Sequence, residues 1–133
     1  MRIKMLAVLV AVGVLAAAPA VAQDKWPSQT IKIVLAIGPG SGTDLGLRLY
    51  AAELSKRLGR TVVVENRPGA STIRGTAYAA KQAPDGYNLA SVFSTTTIVP
   101  STHKDVPFDP MRDFLPISMM AQSQYGMAVH PDF

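Results

Sequence analysis

The sequence predicts an α/β fold built on a parallel sheet. Three observations carry this. Short apolar, β-branched runs alternate with longer stretches of helical period, in the order β-α-β-α-β. A loop rich in glycine, proline or hydroxyl residues follows each strand. Successive strands are separated by helices, which return the chain to the same end of the sheet and so favour parallel pairing through right-handed crossovers. In such a sheet the loops after the strands gather at the carboxyl edge, where open α/β sheets bind ligands.

Ile31 to Ile37, IKIVLAI, reads as a buried first strand closed by Gly38. GPGSGTD follows, and either Ser41 or Thr43 is placed to cap the next helix. Leu47, Ala51, Leu54 and Leu58 recur at helical spacing and form its buried stripe. Lys56, Arg57 and Arg60 lie at its C-terminal end, where the helix dipole favours cations, and Gly59 is placed to end it in the left-handed conformation. Thr61 to Glu65 is the second strand, and Pro68-Gly69 turns the chain after it. Thr72 to Gln82 is alanine-rich and helical, with Ser71 as its cap. Pro84-Asp85-Gly86 is a turn, because proline presets one dihedral and glycine accepts positive φ. Tyr87 to Phe93 is the third strand, and STTT, Ser94 to Thr97, is the third polar loop. Beyond it, Pro100, Pro107, Pro110 and Pro116 break the pattern. Asp109-Pro110 starts a short helical turn reaching Phe114, and Leu115 to Ala121 and Tyr125 to His130 read as two more strands. Met119, Met120 and Met127 are expected as strand core or gap filling.

The N-terminus has the form of a secretory leader. Arg2 and Lys4 precede an uncharged apolar run, and Ala20 and Ala22 have the small-x-small spacing of a cleavage site. Residues 1–22 are therefore expected to be a signal peptide cleaved before Gln23, with a membrane anchor as the alternative. No paired arginines precede the run, so export by the general secretory route is expected. Losing Arg2 and Lys4 lowers the formal charge of +4 by two, so the basic balance belongs partly to the leader. The remaining Lys and Arg are scattered, without the basic stripe that nucleic acid requires. There is no cysteine, hence no disulfide and no lipid-modified N-terminal cysteine. Gln23 to Phe133 suits one modest α/β domain.

A glycine turn between strand and helix suits an anion, and the neighbouring residues discriminate among anions. A mononucleotide P-loop needs lysine after the last glycine, but Thr43-Asp44 stands there. A dinucleotide site fits better, with Glu65 at the second strand's end, yet Thr43 occupies the position of the third glycine. Pro39 and Thr43 replace the glycines that a nucleophile elbow requires around Ser41. His103 and His130 match no metal spacing or triad. There remain a ligand-free tight turn and a plain anion site built from the backbone N–H groups of Gly40 to Asp44, which local sequence serves equally. Asp44 is either a first-turn acid stabilising the helix dipole or a group facing a ligand's amino group.

Four stretches in order, IVLAIGPGSGTD, VVVENRPGAS, QAPDGYNL and VPFDPMRDFLPIS, resemble the periplasmic solute-binding proteins of tripartite tricarboxylate transporters, the Bug family. The resemblance covers nearly all of Trp26 to Phe133. It implies a periplasmic-binding-protein-like fold of two α/β domains with ligand in the cleft between them. It implies binding of a small carboxylate for delivery to membrane permease subunits, with no catalysis and no cofactor. Carried over by position, it implies carboxylate contacts from Gly40, Ser41, Gly42, Thr43 and Asp44. It implies further contacts from Ala70 to Gly75, chiefly Ser71 and Thr72, and from Ser94 to Thr97, chiefly Ser94 and Thr95. Ser71, Thr72, Ile73 and Arg74 stand where the family carries glycines and an asparagine, so the choice of carboxylate does not transfer. Arg74 either pairs with a second carboxylate or is solvated.

Family members are more than twice as long. Residues 23–133 are thus expected to be the N-terminal part of the first domain, ending near the crossover, with the second domain missing from this chain. With one cleft wall encoded, the 133-residue chain is expected to bind carboxylates at millimolar strength or weaker and to self-associate or be poorly soluble. A truncated, non-functional relic is the runner-up, and a nucleotide-binding enzyme using the glycine loop is third.

Overall fold

A computed structural model describes residues 25–123 and 126–132. The expected leader, residues 1–22, lies outside them. Among the described residues six elements run in the order β1 (Ile31–Leu35), α1 (Gly42–Leu58), β2 (Val62–Asn66), α2 (Ile73–Ala80), β3 (Asn88–Ser91) and α3 (Ser94–Thr102). The sheet has strand order β2-β1-β3, and both pairs are parallel. Ile31 aligns with Val62 and Leu35 with Asn66 on one side, and Lys32 with Asn88 and Leu35 with Ser91 on the other. The predicted β-α-β-α-β order and parallel pairing are borne out.

β1 is the central strand, which explains its near-continuous apolar run. Ile31, Ile33 and Leu35 form the core with Leu47 and Ala51 of α1 and Val62 of β2. Leu54 and Leu58 pack against that core, so the predicted helical stripe is the buried one. Ser41 is the N-cap of α1, its Oγ accepting from the Asp44 amide at 3.1 Å. Gly59 ends the helix at φ 63, donating to Ser55 O. On the other face, Gly75 of α2 meets Ala36. A Cβ at Gly75 would lie 2.8 Å from the Ala36 Cα and 2.5 Å from Arg67 O. The predicted turn at Gly86 is present, with φ 81 and the Asp85 carboxylate accepting from the Tyr87 amide at 3.0 Å.

Three expectations are corrected. Ser71 does not cap α2; Thr72 holds the cap position at φ 75 without a side-chain bond. Ser94 to Thr97 is not a loop but the first turn of α3. Threonine is a weak helix former because its β-branched side chain is stiff, yet burial overrides this. Thr96 is fully buried and its Oγ1 accepts from the Phe93 amide, while Thr97 Oγ1 donates to Ser94 O at 2.8 Å. Lastly, residues 115–121 and the described part of 125–130 form no strand. Leu115 is 90% and Met127 95% exposed, and Met119 is exposed too, so these methionines are not core. Strand-like composition needs a neighbouring strand to complete its hydrogen bonds, and no strand of the described residues pairs with these segments. The Tyr50 hydroxyl does donate to Met120 O at 2.8 Å, holding that stretch against α1. The predicted turn after Asp109 is present, with the Asp113 amide reaching Asp109 O at 2.9 Å.

Candidate functional site

Parallel pairing places the segments after β1, β2 and β3 at the same edge of the sheet. The expected site residues lie in those three segments, so topology alone gathers them. Gly40, Gly42 and Thr43 are exposed in the first, Ser71 in the second, and Ser94 and Thr95 at the start of α3.

The turn after β1 contains an anion of its own. Asp44 is only 2% exposed. Its Oδ2 accepts from the Gly40 amide at 2.9 Å and from Arg48 Nε at 3.0 Å, and its Oδ1 accepts from Asn66 Nδ2 at 2.9 Å. Arg48 Nη2 in turn donates to Asn66 Oδ1 at 2.8 Å, and Asn66 Nδ2 also reaches Ile37 O at 3.1 Å. The Arg48 hydrogen bond, then the Gly40 amide, then the Asn66 amide hold the Asp44 carboxyl at about 2, below its ordinary 3.8, against the opposing pull of burial. Asp44 is thus a first-turn acid, as one of its two readings held, but its carboxylate is committed inside the protein together with the Gly40 amide. The outermost amides of α1, those of Gly42 and Thr43, have no acceptor among the described residues. Positive potential from the helix start remains available there.

The segment after β2 has unusual backbone. Ala70, Ser71 and Thr72 take φ values of 48, 50 and 75, three consecutive non-glycine residues in the left-handed region. Each costs about 1 kcal/mol or more, and such strain concentrates at ligand clamps and active sites. Ile73 N bonds Ala70 O at 2.9 Å, which helps hold the bend. The Thr72 and Thr76 hydroxyls are buried without a hydrogen-bond partner among the described residues. Arg74 is exposed, its guanidinium stem lying along Gly69, and it pairs with no acid among the described residues. Glu65, the acid that a dinucleotide site would need, is engaged by Arg67 Nε at 2.6 Å and lies 3.8 Å from Lys32 Nζ. Arg67 stacks 3.5 Å above the Tyr78 ring.

Arg48 and Asn66 were not among the expected site residues. Asp44 and Arg48 stand four apart, the spacing of a helical ion pair, and that signal was available. Asn66 carried no comparable signal, because its partners lie on another element.

Known proteins resemble this chain in sequence and in fold. A family profile described as the tripartite tricarboxylate transporter family receptor matches residues 47–133. A UPF0065 protein of Cupriavidus necator is 40% identical over 119 residues, covering 89% of this chain and 36% of the relative. The protein BugT of Bordetella pertussis is 34% identical, covering 86% of this chain and 36% of the relative. The periplasmic binding protein BugD superposes with a TM-score of 0.66 at 34% identity, covering 69% of this chain and 31% of BugD. A protein of R. palustris solved with adipate superposes with a TM-score of 0.58 at 30% identity, covering 65% of this chain and 29% of that one. The chain therefore spans about a third of the length of the curated relatives it matches. On the profile match and the shared parallel α/β unit, this chain belongs to the family of tripartite tricarboxylate transporter receptors.

Proposed function

We propose that this chain supplies one carboxylate-receiving wall of a periplasmic solute-binding protein, which delivers its solute to the permease subunits of a tripartite tricarboxylate transporter. The observation that carries the proposal is the pair of uncommitted amides, Gly42 and Thr43, at the exposed start of α1 on the sheet's carboxyl edge. Ser41, Ser71, Ser94 and Thr95 place hydroxyl groups in the loops and helix starts of that same edge, whereas the Thr72 hydroxyl, expected as a ligand contact, is buried and takes no part. Neutral donors of this kind hold a carboxylate without a fixed positive charge. The adipate bound by the R. palustris relative supports a small dicarboxylate as the solute class. Gly40 and Asp44 support the turn from within.

Residues 1–22 direct export in this proposal, and an exported chain whose intact mass begins at Gln23 is the expected product. The function itself is tested by titrating the isotopically labelled mature chain with adipate and following its backbone amides by NMR. Saturable shifts at Gly42 and Thr43 are expected, at millimolar concentrations. No response at either amide, up to the solubility limit of adipate, rejects the assignment.

A further inference from the structure

Asp44, Arg48 and Asn66 form a closed ring. Asp44 bonds both partners, and these bond each other. The ring joins three parts of the chain: the turn after β1 through Gly40 and Ile37, the first turns of α1 through Asp44 and Arg48, and the last residue of β2 through Asn66. A buried carboxylate is retained only when its hydrogen-bonding capacity is met, and here three donors meet it. The inner half of the anion-holding turn is therefore filled by the chain's own charge.

We propose that Asp44, Arg48 and Asn66 are positioning residues for the carboxylate site, locking the β1–α1 turn to the end of β2 so that Gly42 and Thr43, and not Gly40, receive the ligand. Two physical consequences follow from the ring. The Gly40 amide is spent on Asp44, so an incoming anion meets only the two outer amides. The loops after β1 and β2, which leave neighbouring strands, are held in one fixed relation, and any ligand touching both finds its donors already placed. Arg48 balances the Asp44 charge, so the turn does not repel an approaching carboxylate as an unpaired acid would.

This inference rests on the carboxylate-binding assignment above, and the experiment separates the two. Adipate titrations are run by NMR on the wild-type chain and on Asn66→Ala, Arg48→Met and Asp44→Ala, with thermal midpoints measured alongside. Asn66→Ala or Arg48→Met is expected to weaken adipate at least fivefold while remaining folded. Arg48→Lys, which keeps a charge and a donor, is expected to recover part of that loss. In Asp44→Ala the adipate response is expected to spread to the Gly40 amide, and sodium formate, which fits the vacated carboxylate position, is expected to return it to Gly42 and Thr43. A purely structural ring would not change which amide responds. Wild-type adipate shifts with unchanged affinity in both Asn66→Ala and Arg48→Met overturn the positioning role alone. A wild-type chain that ignores adipate rejects the carboxylate assignment, and the inference with it. Arg48 is half-exposed, so its variants keep the comparison usable if Asp44→Ala does not fold.

Discussion

Replacing Gly42 by valine separates binding from folding. A Cβ built at Gly42 meets nothing within 4 Å, and its φ lies outside the left-handed region. The backbone therefore accepts a side chain without strain. Glycine and valine differ by about 0.5 kcal/mol or less in helix propensity, so the thermal midpoint should barely move. Binding should change sharply. The new side chain stands beside the Gly42 and Thr43 amides and keeps a carboxylate from reaching them. One hydrogen bond to a charged acceptor contributes about 1.5–3 kcal/mol, and about 1.4 kcal/mol corresponds to a factor of ten. Gly42→Val should thus weaken adipate at least tenfold, read from amide shifts against concentration. Gly40→Ala is the contrast: at φ 83 it should destabilise the fold by about 1–2 kcal/mol, a loss read in urea unfolding. Adipate affinity unchanged in folded Gly42→Val would return the turn to a purely structural role.

Asp44 makes the fold acid-sensitive. Its carboxyl is held at about 2 against 3.8 ordinarily, so the unfolded chain takes up the proton first and stability falls as pH drops. The contribution is complete above about pH 4 and is lost down to about pH 2; urea midpoints should show this, and Asp44→Asn should flatten it. Gly75→Ala should cost about 1–3 kcal/mol in thermal unfolding, since the added carbon would press on Arg67 O and Ala36; an unchanged midpoint would mean that α2 is free to shift. A chain of residues 23–133 should self-associate as concentration rises, because Leu115, Ile117, Met119, Met127 and Val129 are exposed together with Leu45 and Leu49 of α1. Sedimentation as a single monomer at high concentration would contradict this.

Much of the fold was determined by residues acting on their near neighbours. The apolar run of β1, the Leu47–Ala51–Leu54–Leu58 stripe, the Ser41 cap and the Gly59 stop each depend on contacts within a few positions or on one periodic face, and each stands where its pattern placed it. The gathering of three loops at one edge also followed from element order, because parallel strands leave no other arrangement. Contacts between distant residues were decided only in three dimensions. Threonine-rich 94–97 became helix because burying Thr96 outweighs its weak propensity, and burial is a property of the neighbours rather than of the segment. The described apolar residues after Phe114 remained outside the sheet, because a strand requires a partner that its own sequence does not specify. The anion in the glycine turn was decided the same way. Sequence could place Asp44 beside the glycines, but only the packing of α1 against β2 brings Asn66, 22 residues on, within 2.9 Å and turns that acid from a surface charge into the internal support of the turn.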